Sequence, residues 1–103
     1  MVDLLGIHQG DILKVEKIRQ PVLVVSKDYF NESGQIVACP IFDNSSEGAL
    51  HIYVETEDVK GDVQCEKLAL LDLKLRGYIV VGTINIDDRI NIADTIQGIF
   101  DYV

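Results

Sequence analysis

Pro21-Val22-Leu23-Val24-Val25-Ser26-Lys27-Asp28-Tyr29-Phe30-Asn31 is the stretch on which the fold turns. Its first half is a near-continuous apolar run, the pattern of a strand buried on both faces. Proline fits there only as the first strand residue, because it has no N–H for the ladder. The polar second half, Ser26 to Asn31, reads as one helical turn with Ser26 as its cap. Upstream, Gly10-Asp11 opens a strand running to about Ile18, with Ile12, Val15 and Ile18 apolar. Downstream, Glu32-Ser33-Gly34 is a turn and Gln35 to Ile41 a third strand. Asp43 to Gly48 is polar and turn-rich, hence an exposed loop. Leu50 to Val54 gives a fourth strand, followed by an acidic loop through Gly61. Asp62 to Leu70 gives a fifth and Tyr78 to Ile84 a sixth, with Lys74-Leu75-Arg76-Gly77 turning between them.

The period then changes. Ile86, Ile90, Ala93, Ile96, Ile99, Phe100 and Val103 recur at helical spacing, opposite Asp87, Asp88, Asp94 and Asp101. Asn85 is a good N-cap, and the two aspartates after it suit the positive end of the helix dipole. Short strands followed by an amphipathic helix predict a mainly β fold with a C-terminal helix, a small SH3-like β-barrel.

The chain has 103 residues and 11.5 kDa, which is room for a single domain over 1–103. A hydrophobic fraction of 48% with 25% charged residues is a globular composition and argues against intrinsic disorder. No apolar run approaches the ~18 residues of a membrane span, and the N-terminus has no basic n-region with an apolar core. Cys39 and Cys65 are far apart with no CxxC spacing, so neither a metal site nor a redox motif is expected. A cytoplasmic domain with reduced thiols and no cofactor follows.

Seventeen acids against nine bases give a net charge of −8, which opposes non-specific nucleic-acid binding. The charge is uneven. Residues 41–66 carry seven acids and one base, whereas residues 67–85 carry three bases and one acid. Positive charge sits at Lys14, Lys17 and Arg19 and again at Lys67, Lys74 and Arg76, and a fold joining the two groups would make a local basic patch.

Gly10-Asp11-Ile12, the 21–31 stretch, Ala38-Cys39-Pro40-Ile41-Phe42 and Cys65-Glu66-Lys67-Leu68-Ala69-Leu70-Leu71-Asp72, with Arg76-Gly77 and the final helix, together resemble the MazF/PemK family. These are the growth-inhibiting toxins of bacterial type II toxin–antitoxin systems, and the resemblance spans roughly residues 9–102. It implies a homodimer of SH3-like barrels, an antitoxin partner, and metal-independent cleavage of single-stranded RNA leaving a cyclic phosphate. That reaction needs a group to take the 2′-OH proton, a donor to the leaving 5′ oxygen, and positive charge at the phosphate.

The resemblance places an arginine before the PVLVVS proline, a threonine after the third strand and a second arginine in the stretch after Cys65. Here those positions are Gln20, Phe42 and Ala69, and the neighbouring arginine is Arg19. In a strand one step reverses the side-chain face, so Arg19 reaches the space of the Gln20 position only if a bulge at Gln20 re-aims it. The substitute catalytic set is Arg19, Asp72 and His51, with Gln20, Lys67, Lys74 and Arg76 binding substrate. His51 has a suitable unperturbed pKa for proton transfer; Asp72 could equally satisfy turn amides. His8 lies in what reads as a mobile end, and Ser45 and Ser46 have no activating base. Three functions remain open: an endoribonuclease toxin with rearranged chemistry, a non-catalytic toxin-like binding module, and a protein-targeting relative of the CcdB kind by analogy of fold.

Overall fold

The apolar run forms β2 (Val22–Val24), and all three of its residues are buried. It lies between β1 (Asp11–Val15) and β3 (Gln35–Phe42), antiparallel to both, with Leu13 opposite Val22 and Leu23 opposite Cys39. The computed structural model describes residues 6–43 and 48–101. Alternation along these strands feeds two cores. Leu13, Val22, Val24, Ile36 and Ala38 pack on one side with Leu71 and Leu73. Ile12, Leu23, Cys39 and Ile41 pack on the other with Val54, Val63, Cys65, Ile84 and Ile92. The double-sided burial read from residues 21–26 is thus present.

The further elements are β4 (His51–Glu55), β5 (Lys60–Gln64), β6 (Ala69–Asp72), β7 (Tyr78–Thr83) and the C-terminal helix α2 (Ile86–Phe100). Among the described residues the sheet is seven-stranded, in the order β4-β5-β3-β2-β1-β7, with β6 paired to β3. It curls into an antiparallel half-barrel with the helix at its C-terminal end, the fold class expected of an SH3-like barrel.

Six strands were expected and seven are found. The predicted strand 62–70 divides at Cys65 into β5 and β6, and β5 starts at Lys60, inside the expected acidic loop. The cause lies in β3, which changes partner along its length. Residues 35–38 pair with β6, from Gln35–Asp72 to Ala38–Ala69, and residues 41–42 pair with β5. Pro40 sits at the seam. The Ile41 N–H donates to the Pro21 carbonyl at 2.9 Å on the β2 side. By alternation the amide of residue 40 would face the other edge, and proline has none to offer.

Three further expectations are corrected near the start. β1 ends at Val15 rather than Ile18, because Lys17 takes a left-handed conformation (φ 67) and turns the chain. Ser26 does not cap the short helix α1 (Asp28–Asn31), which starts after Lys27. Instead the Ser26 hydroxyl donates to Asn31 Oδ1 and accepts from the Val37 N–H at 3.0 Å, while Asn31 Nδ2 donates to the Ser26 carbonyl at 3.2 Å. Asn31 is fully buried, and this exchange satisfies it. His8 is tied down as well: its Nδ1 donates to Asp28 Oδ2 at 2.8 Å and its backbone N–H to Asp11 Oδ2 at 2.9 Å.

In α2, Asn85 accepts the Asp88 N–H at 2.8 Å, the expected N-cap. The inward residue is Ile92, with Ile96 partly buried, whereas Ile86, Ile90, Ile99 and Phe100 are exposed. The apolar stripe read from spacing is therefore only partly the packed one, and Val103 lies outside the described residues. No described helix is long and apolar enough to cross a membrane.

Cys39 and Cys65 are unpaired and fully buried, and burial pushes their thiols up to about 12 and about 11 respectively. Thiolate is the reactive form. At pH 8 the native protein is expected to leave an aromatic disulfide reagent such as DTNB unreacted, whereas denaturant releases both thiols; a native-state absorbance burst would refute this.

Candidate functional site

The turn at Lys17 decides where the next side chains point. Arg19 and Gln20 lie in bends before β2, not in a strand, so the face-reversal rule does not apply to them. Both line one open groove of about 540 Å³, together with Lys14, Pro21, Ile41, Phe42, Asp43 and Gln64. The re-aiming that Arg19 required is supplied by these bends and not by a bulge within a strand. Lys14 reaches the groove because it is the exposed residue between buried Leu13 and Val15. A second depression of about 570 Å³ shares Lys14, Pro21, Ile41 and Asp43 and adds Tyr53, Asp58, Val59, Lys60 and Gly61.

The two depressions contain three bases (Lys14, Arg19, Lys60) against two acids (Asp43, Asp58), a local charge of +1 on a chain of −8. Ion pairs among the described residues join His8 to Asp28 and His51 to Glu66, and none of those engages a lysine or arginine.

The far wall is the outer face of the β3–β5–β4 sheet. Phe42 stands opposite Asp62, and Asp62 opposite Tyr53, so the three form a row on one face. Lys67 Nζ lies 5.0 Å from the centroid of the Phe42 ring, which brings the Lys67 ammonium to the groove's margin. Gly61 is required here, since a Cβ on it would come within 2.6 Å of the Phe42 carbonyl oxygen.

His51 stands opposite Gln64, so it shares the groove-lining face. Its Nε2 donates to Glu66 Oε2 at 2.9 Å. This hydrogen bond holds the Glu66 carboxyl below its ordinary range, with the neighbouring Lys67 charge adding to it. A depressed carboxylate favours the folded state above its ordinary range, and the contribution fades as pH falls through the lowered value.

The other predicted site residues are elsewhere. Asp72 pairs with Gln35, at the opposite end of β3 from Phe42, and its Oδ1 accepts the Lys74 N–H at 2.9 Å. That is the turn-amide role. Lys74 packs its stem over Gly34, so Lys74 does not join Arg19 and Lys67. Arg76 is exposed in the turn before Gly77, and Gly77 lines a shallower depression shared with Lys14 and Arg19. Ala69 is exposed on β6, opposite Ala38. Ser45 and Ser46 lie outside the described residues. Among the described residues no three His, Cys, Asp or Glu side chains gather as a metal-binding group.

Tyr53, Lys60 and Gln64 were missed as site residues. Their signal was the alternation of His51 and Tyr53, and of Lys60, Asp62 and Gln64, on one sheet face. Reading Lys60 as loop concealed it.

A family model described as PemK-like, MazF-like toxin of type II toxin-antitoxin system matches residues 8–100. The MazE-MazF crystal structure (Form-I) from Deinococcus radiodurans superposes with a TM-score of 0.83 at 18% identity, covering 91% of this chain and 95% of that one. Form-II from the same organism gives 0.84 at 18%, covering 94% and 97%. An endoribonuclease in complex with its cognate antitoxin from a mycobacterial species gives 0.78 at 14%, covering 92% and 95%. At such identities the likeness is one of fold. No curated protein matches the sequence significantly.

Proposed function

The chain belongs to the PemK-like, MazF-like toxins of type II toxin–antitoxin systems, and from that premise we propose that it cleaves single-stranded RNA in the cytoplasm with Arg19 supplying the phosphate-facing charge. One observation supports the reading above the rest: Arg19 shares an open groove with Gln20 and Phe42, the two positions where the family resemblance puts an arginine and a threonine. A guanidinium one residue away from the usual place reaches the same space because the chain bends at 19–20.

In this reading the 2′ oxygen attacks the adjacent phosphorus, the O2′–P bond forms and the P–O5′ bond breaks. Arg19 and Lys14 hold the charge that accumulates on the non-bridging oxygens. His51, oriented by Glu66, takes the 2′ proton, and a protonated group or water returns one to the 5′ oxygen. Gln20 and Gln64 offer amides to substrate, and Lys67 a cation at the margin.

The working unit is a homodimer that an antitoxin restrains. β7 is an edge of the described sheet on which Ile79 and Val80 are exposed on opposite faces, and Leu75 in the preceding turn is exposed as well, apolar surface suited to a second copy. A non-catalytic binding module is the alternative, and the absence of a hydroxyl at Phe42 and of a cation at Ala69 favours it.

Incubating the purified protein with long single-stranded RNA in EDTA decides between the two. Fragments ending in a cyclic phosphate are expected. Intact RNA at micromolar protein would leave the binding module, and capture of a protein target in place of RNA would indicate the CcdB-like role.

A further inference from the structure

Resting on the RNA reading of the groove, we infer that Phe42, backed by Lys67, is a stacking platform for an unpaired nucleobase, with Tyr53 as a second platform further along the same wall. Phe42 is half-buried and lines the groove. Lys67 Nζ covers the ring at 5.0 Å, a cation–π arrangement that fixes the ammonium beside it. Tyr53 is 55% exposed on the same face, and its hydroxyl donates to Glu55 Oε1 at 3.1 Å. An aromatic ring left in solvent on the polar face of a sheet contributes little to packing.

The spacing fits a splayed single strand. Phe42 and Tyr53 lie on strands separated by β5, so two inter-strand steps place them about 10 Å apart. Lys14, Arg19 and Lys60 border the same surface and can follow the phosphates between the bases. Aromatic platforms flanked by cations are how proteins hold unpaired strands, because every base has a π-face and duplex bases are already stacked. The ring at position 42 thus exchanges a hydroxyl for a grip on the base. It makes Phe42 a determinant of substrate positioning in this chain.

The test uses a short fluorescent single-stranded RNA whose 2′ oxygens are methylated, so that it binds without being cut, and an abasic strand of equal length. The wild-type protein is expected to bind the base-bearing strand more tightly than the abasic one. Phe42→Leu is expected to weaken binding of the base-bearing strand about 5- to 100-fold and leave the abasic strand unchanged, while Phe42→Trp retains affinity. Equal binding of the two strands by the wild type overturns the platform without recourse to any variant, and so does undiminished binding by Phe42→Leu. A wild-type protein that binds neither strand at low salt overturns the RNA reading of the groove, and the platform falls with it.

Discussion

Arg19→Ala is expected to slow RNA cleavage by about 100- to 1,000-fold, the usual loss when one preorganised donor to a developing oxyanion is removed. The effect should fall on the chemical step, measured as single-turnover rates at saturating protein. Arg19 belongs to neither buried cluster and is exposed, so stability should stay within about 0.5 kcal/mol of the parent. Arg19→Lys keeps the charge and loses the planar fork, and an intermediate rate is expected. Gln20→Arg adds a second guanidinium in the same groove and should raise the rate. An Arg19→Ala protein that cuts at the parent rate would remove Arg19 from the mechanism.

Ile41→Ala is expected to cost about 2–5 kcal/mol of stability, a large share of the roughly 5–15 kcal/mol typical of a domain. Ile41 is 1% exposed and sits in the cluster containing Val54, Val63, Cys65 and Ile92, while its strand position also floors the groove. It occupies the short length of β3 that pairs with β5, where Ile41 stands opposite Val63. Truncation leaves a cavity where the β4–β5 hairpin joins β3 and the rest of the sheet. Urea titration should show the loss, with a fall in Tm of roughly 8–40 °C. A midpoint unchanged from the parent would mean that the hairpin is held by other contacts.

Much of this was legible from local pattern. The doubly buried strand, the Asn85 cap and the terminal helix each rest on neighbours in sequence, and each is found. What was not legible depends on residues far away. Nothing between Asp62 and Leu70 announces a break, because the break is made by β3 changing partner at Pro40. Which helix residue faces inward is set by the strands beneath, and so Ile92 was passed over for Ile86 and Ile90. The device that re-aims Arg19 was expected as a strand bulge, and the non-glycine residue at positive φ two places earlier, which turns the chain instead, gave no warning. In the groove, Arg19, Gln20 and Lys67 could be named from sequence, whereas Tyr53, Lys60 and Gln64 needed the sheet.

The central strand hides a problem that its neighbours solve. Val22, Leu23 and Val24 are greasy on both sides, so sliding the strand by one residue would exchange its faces with no penalty in polarity, only a mismatch of size. Oil alone cannot tell the correct alignment from the slipped one. The pin is the exchange between half-buried Ser26 and buried Asn31 just beyond the strand, with Ser26 clipped to the Val37 amide. A slip would tear that small polar latch from its partners, so three hydrogen bonds, and not the hydrophobic run itself, fix the threading of the sheet.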